Sequence, residues 1–150
     1  MKFDPEVNPI LDYIKSSDQG VDTRKYAFEH GVQFYNRKKY FEAHEIFEFQ
    51  WKKEFGNLKI FIQALIQISV AMNKLYVNIN LKGAISQAKL ALEKLLKLKS
   101  SNCFTLKGIN YSGELIENLQ ELIFLLESSS ADISNYSPPK LLSEVEELFL

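Results

Sequence analysis

The sequence predicts an all-α fold, one compact multihelical bundle of about six to seven helices around a central antiparallel helical hairpin. Three observations predict it. Apolar residues recur at helical spacing along most of the chain, and strand-type alternation is nearly absent. Helix start and stop signals follow one another at helix-length intervals. The early connections are short, which places successive helices side by side in opposite directions. A chain of 150 residues is the usual size of one domain and long enough to bury a core of its own.

Taken in order, Asp4-Pro5 reads as an N-cap with proline in the first turn, opening a short helix to about Lys15. Ser16 to Gly20 reads as a loop. Asp22 or Thr23 caps a second helix to about Arg37, with Tyr26, Ala27, His30 and Phe34 at helical spacing. A third helix spans about Tyr40 to Phe55, and Gly56-Asn57 marks its end. The fourth, about Leu58 to Val77, is apolar on more than one face, so it is central to the fold or buried in an oligomer interface. The fifth, about Leu81 to Leu98, carries the amphipathic stripe Ile85, Ala88, Leu92, Leu95, Leu96. Ser100 to Tyr111 contains Gly108 and Asn110 and reads as irregular. Ser112 then caps a sixth helix to about Glu127, SSSADISNYS is a polar linker, and Ser137-Pro138 opens a last helix through Leu148. The C-terminal helices are thus expected at about 112–127 and 138–148.

Composition narrows the function classes. Net charge is -1, from 18 basic and 19 acidic residues, which supplies no global field for nucleic acid or an anionic membrane. The most apolar run, Ile60 to Met72, is interrupted by Gln63, Gln67 and Ser69 and is shorter than the ~20 residues that span a bilayer. One cysteine, Cys103, excludes an internal disulfide and any multi-cysteine metal site. An unpaired thiol suits a reducing compartment, and the N-terminus has no secretory-type apolar run, so a soluble cytoplasmic protein is expected.

The stretch YFEAHEIFEFQW, Tyr40 to Trp51, carries what chemistry there is. On a helical wheel Tyr40, His44, Phe47, Trp51 and Phe55 share one sector, and Glu48 lies on its edge beside His44. Glu42, Glu45, Lys52 and Lys53 point away. His44 and Glu48 are one turn apart, where their side chains can touch. Three readings follow: a hydrogen-bonded clasp within the core, the lip of a ligand pocket, or two ligands of a metal site. A metal needs about four protein or water ligands, and His30 is the only other histidine; it reads more simply as a core or surface residue. Gln63 and Gln67, one turn apart on the apolar fourth helix, need partners if buried, and His44 and Glu48 are suited to them. The zinc-protease pattern HExxH lacks its second histidine here. The ferritin-like ExxH pair, an activated serine or cysteine, and a glycine-rich phosphate loop are absent as well.

GVQFYNRKKYFEAHEIFEFQWKK followed by FIQALIQISVAMNKLYVNINLKGA resembles domain-of-unknown-function family 309, small all-helical proteins with an HxxxExxW motif, here His44, Glu48 and Trp51. The resemblance covers about residues 24–96. It implies an all-helical domain and suggests metal binding. Gln63 and Gln67 fall on the family's glutamine positions. Ala64 stands where glycine is frequent, and Asn73 and Lys74 where a further histidine or tyrosine is frequent, a departure that weakens a site needing a third imidazole. The spacing of Gly31, Phe34, Ala43 and Phe47 also resembles a tetratricopeptide hairpin, but the period of about 34 residues does not recur.

The expectation is a single domain over 1–150, a binding or interaction protein with a His44, Glu48, Gln63, Gln67 cluster between two core helices, walled by Trp51 and Tyr40. The alternative is a metal-binding protein, or a metal-dependent or acid/base enzyme, using His44 and Glu48 with a divalent metal. Ile46 and Phe49, on the otherwise polar back of the third helix, point to a homodimer or a helical protein partner.

Overall fold

The computed structural model describes residues 4–16, 22–128 and 132–150. Among them are six α-helices: α1 Val7–Lys15, α2 Arg24–Asn36, α3 Tyr40–Lys53, α4 Gly56–Tyr76, α5 Leu81–Ser100 and α6 Leu106–Glu127. Residues 17–20 of the expected first loop, and 129–131 of the linker, lie outside the described residues. The helices pack in sequence, α2 on α3, α3 on α4, α4 on α5 and α5 on α6, with α1 laid across α2 and α3. The all-α bundle and its central hairpins are those the sequence predicts.

The α2–α3 turn shows why the hairpin closes so tightly. Lys38 takes the left-handed conformation, φ 65°, while the Lys38 amide donates to the Tyr35 carbonyl at 2.8 Å and the Lys39 amide to that of Phe34 at 2.9 Å. These paired bonds satisfy carbonyls that a helix end would otherwise leave open. Three residues later α3 runs back along α2. A methyl group on Gly31 would stand 2.5 Å from the Phe47 ring, so glycine permits the close approach. Phe34 and Phe47 are both buried, and the Phe28 and Phe47 rings lie 5.9 Å apart.

Helix α4 is the centre of the core. Phe61, Ile62, Ala64, Leu65, Ile68, Ala71 and Met72 are fully enclosed, each large side chain contributing roughly 1.5–3 kcal/mol by leaving water. It is long and apolar enough to cross a membrane, but most of its surface is buried inside the domain. Ser69, inside it, is satisfied by donating to the Leu65 carbonyl one turn back at 2.9 Å.

Three expectations need correcting. The buried face of α3 is Tyr40, Ala43, Ile46, Phe47 and Gln50, with Glu42 also enclosed. The wheel expected one apolar sector with a polar back, whereas α3 is covered by α1 as well as by α2 and α4. Glu42 accepts from the Asp4 amide at 3.1 Å, and the Lys15 ammonium lies over the Phe49 ring. The face expected to be a polar back is thus the seat of α1, and Ile46 is no exposed contact for a second copy. Phe55, beyond the end of α3, is exposed.

Helix α6 begins at Leu106, not Ser112. Thr105 is its N-cap, accepting from the Gly108 amide at 3.1 Å. Gly108 read as a loop residue because glycine disfavours helices; here it makes room, since an added methyl would meet the Leu148 carbonyl oxygen at 2.1 Å.

No α-helix covers 138–148. The segment is an extended strap with one 3-10 turn, Val145–Glu147. Its backbone is bonded to other elements instead. Pro139 accepts from the Tyr35 hydroxyl at 2.7 Å, Leu141 pairs with the Asn36 amide through both of its own backbone groups, and the Leu142 amide donates to the Tyr111 hydroxyl at 2.9 Å. The strap ends beside the α5–α6 connection, where Phe104 and Phe149 form an isolated antiparallel bridge. Two consecutive prolines remove amide donors, which makes this bonding to neighbouring elements the alternative to a helix.

Candidate functional site

His44 and Glu48 come together, as the one-turn spacing allows. The imidazole Nε2 lies 3.1 Å from Glu48 Oε1. The pair sits at the surface edge of the core: the His44 side chain is 20% exposed and that of Glu48 42%. A half-exposed carboxylate is not the enclosed clasp the wheel suggested.

The other ring nitrogen reveals a residue that the sequence argument turned away from the site. Glu45 Oε1 lies 3.5 Å from His44 Nδ1. That approach does not meet hydrogen-bond geometry, and Nδ1 is a buried polar atom with no hydrogen-bond partner. A wheel places Glu45 away from His44, but a long side chain at the next position can swing back along the surface. No spacing rule signals that. One ligand atom each from His44, Glu45 and Glu48 can be chosen within 4.8 Å of one another.

Beside the ring is a groove of about 270 Å³ between α3 and α4, lined by Phe41, His44, Val70, Asn73, Lys74 and Asn78. Asn73 is 9% exposed and its Oδ1 is also without a partner. Asn73 was noted in the sequence only as a departure from the family's pattern; its burial on α4 opposite His44 makes it part of the site.

The remaining expected residues are not brought here. Trp51 packs at the edge of the core with the Lys59 ammonium 4.5 Å from its ring, and it does not line the His44 groove. Tyr40 lines a different cavity, of about 510 Å³, with Tyr76 and Tyr136. Burial raises the Tyr40 hydroxyl above its ordinary value, with the Tyr76 hydroxyl adding to the shift. Gln67 is buried with its own carbonyl oxygen unpartnered, and Gln63 is half-buried; neither lines the groove. His30 packs tilted against Tyr26, ring centroids 4.2 Å apart, and stands outside the His44 cluster. Burial lowers its pKa, against the opposing charge of Glu29.

Chemically, His44 offers an imidazole with the Glu48 carboxylate 3.1 Å from one nitrogen and a buried, unpartnered second nitrogen. When Nε2–H donates to Glu48, the lone pair falls on Nδ1. That lone pair then faces the Glu45 carboxylate 3.5 Å away, and a cation between them would stabilise two electron-rich atoms.

Comparison with known proteins adds one finding. Residues 28–87 match the family model described as Domain of unknown function (DUF309). Neither the curated proteins nor the solved structures give a match. The matched segment holds most of α2, the whole of α3 and α4, and His44 with both of its carboxylates. Over residues 28–87, this chain is similar to the DUF309 family.

Proposed function

We propose that this chain is a binding protein whose ligand enters the groove between α3 and α4 and meets His44 and Asn73. One observation carries the reading. Two polar atoms without partners, His44 Nδ1 and Asn73 Oδ1, belong to residues lining the same groove. Leaving a buried polar group unpaired costs about 1–3 kcal/mol, so a ligand that bonds to both recovers that cost. The fitting ligand is a small polar molecule with a donor for Asn73 and an apolar portion against Phe41 and Val70. The single thiol supports placing this protein in the cytoplasm.

A second reading rests on Glu45. One imidazole nitrogen of His44 with the Glu45 and Glu48 carboxylates offers nitrogen and oxygen donors, a set that suits zinc or manganese. All three ride on one helix and are partly exposed, so water would complete the coordination. No reaction follows from either reading.

One experiment separates them. Ligand-observed NMR with a library of small polar fragments should find binders that are lost in both His44→Phe and Asn73→Leu. Fragments binding both variants as well as the parent would end the groove reading. In parallel, titration calorimetry with zinc and manganese is expected to show no stoichiometric heat. One equivalent of metal, lost in both His44→Ala and Glu45→Gln, would put the metal reading in its place.

A further inference from the structure

A second site lies on the other side of α3, where α2, the end of α3 and the C-terminal strap enclose a cavity of about 380 Å³. Its inner wall is polar and buried. Glu54 is 7% exposed and Gln50 2%. Arg24 Nη1 donates to Glu54 Oε1 at 3.0 Å, and Gln50 Nε2 donates to Glu54 Oε2 at 3.2 Å. The carboxylate therefore fixes which way the Gln50 amide points, because only its NH₂ can face an anion. The Gln50 carbonyl oxygen is left buried with no partner. A buried acceptor at a cavity wall asks for a donor from whatever fills the cavity.

Charge says which donor. Arg24 bonds to two carboxylates, with Nε and Nη2 on Asp22 and Nη1 on Glu54, so its single positive charge is already balanced and gives no net pull on an anion. The mouth of the cavity is acidic: Glu29 and, on the strap, Glu144, Glu146 and Glu147 line it. Lys25 approaches Glu146 at 3.8 Å, and Lys107 bridges Glu144 and Glu147 at 3.3 and 2.6 Å. Those two lysines leave an acidic excess at the mouth. Phe28, Leu58 and Val145 supply apolar wall to the same cavity.

We propose that this cavity binds a short aliphatic diamine in its dicationic form. One ammonium donates to Gln50 Oε1 beside the Glu54 carboxylate, the methylenes lie along Phe28, Leu58 and Val145, and the second ammonium sits among the carboxylates of the mouth. A carboxylate has about four acceptor positions, so Glu54 can take a further donor while keeping Arg24 and Gln50. The strap supplies one wall, which gives the non-helical C-terminus a binding role.

The test uses the full chain with 1,4-diaminobutane, and with butylamine and 1,4-butanediol as the single-charge and neutral probes. Calorimetry and the side-chain amide signal of Gln50 in ¹H–¹⁵N spectra give the readout. The diamine should bind, shift the Gln50 amide and bind more tightly than butylamine; the diol should do none of these. Gln50→Leu should weaken the diamine about tenfold or more, the loss of one charge-assisted hydrogen bond. The exposed pair of changes Glu144→Gln and Glu146→Gln leaves the core untouched and should remove the diamine's advantage over butylamine. That arm keeps the test decisive should Gln50→Leu fail to fold. The proposal is overturned by an unmoved Gln50 amide at saturating diamine. It is equally overturned by equal affinity for the diamine and the diol, or by a diamine advantage that survives the change at the mouth.

Discussion

His44 has a carboxylate near each ring nitrogen, and exposure decides what the better contact is worth. With Glu48 42% exposed, the pair behaves as a helix-surface contact, for which about 0.3–0.5 kcal/mol is typical. A double-mutant cycle over His44→Ala and Glu48→Ala, read by urea unfolding, should give coupling of about 0.5 kcal/mol. A coupling of several kcal/mol would mean that the pair is enclosed in solution and that the groove is closed. His30 makes the complementary case. Burial holds its imidazole below the ordinary value of 6.5, so the unfolded chain binds its proton more readily than the folded one. Its contribution is complete above about pH 6.5 and declines as pH falls toward the lower folded value. Unfolding free energies between pH 5 and 7.5 should therefore rise with pH, and His30→Gln should flatten that rise. An unchanged slope in the variant would assign the effect to other groups.

At the scale of the element, the turns explain which boundaries could be read. Asn80 caps α5 by accepting from the Gly83 amide at 3.0 Å, and the apolar stripe after it predicts that helix to within two residues. Lys38 carries no such signal, because a lysine in the left-handed region is chosen by the closure of the hairpin and not by its own preference. Replacing it with glycine relieves the steric strain, offset in part by the greater freedom of glycine in the unfolded chain. Lys38→Gly should raise stability by about 0.5–1 kcal/mol in urea unfolding, and a loss of stability would show that the lysine stem is holding the turn. The apolar face of α3 failed to read correctly for a related reason. A wheel finds one stripe, but three neighbours cover α3, and Glu42 is drawn inward by the Asp4 amide. The His44–Glu48 contact was legible because it lies within one helix. Glu45, Asn73, Gln50 and Glu54 acquire their roles from side-chain swing or from other elements, and spacing along the chain carries neither.

For the whole molecule, the C-terminal strap ties α2 to α6, helices far apart in the series. Its bonds reach Tyr35 and Asn36 at the end of α2, Tyr111 and Asn118 on α6, and Thr105 at the start of α6. Contacts so distant along the chain are costly to close and are invisible to local patterns. Gly108 is where this arrangement is most exposed to a single change. The Leu148 carbonyl accepts from the Thr105 amide at 2.9 Å, while the Thr105 hydroxyl donates to the Glu147 carbonyl at 2.6 Å. A methyl at Gly108 would stand 2.1 Å from that same Leu148 oxygen and 2.8 Å from the Phe104 ring. The obstacle is backbone, so it cannot rotate aside as a side-chain tip can. Alanine favours the helix by about 1 kcal/mol over glycine, yet overpacking of this kind costs about 1–3 kcal/mol, and the lost strap bonds add to the deficit. Gly108→Ala should therefore lower stability despite its better helix propensity, and the strap should become accessible to a protease cutting after Lys140. Gly113 lies on the same helix with nothing near its added methyl, so Gly113→Ala should stabilise by up to about 1 kcal/mol. Equal gains in the two variants would mean that the strap does not rest against α6 at Gly108. Opposite signs would locate the docking of the chain's end at that one glycine.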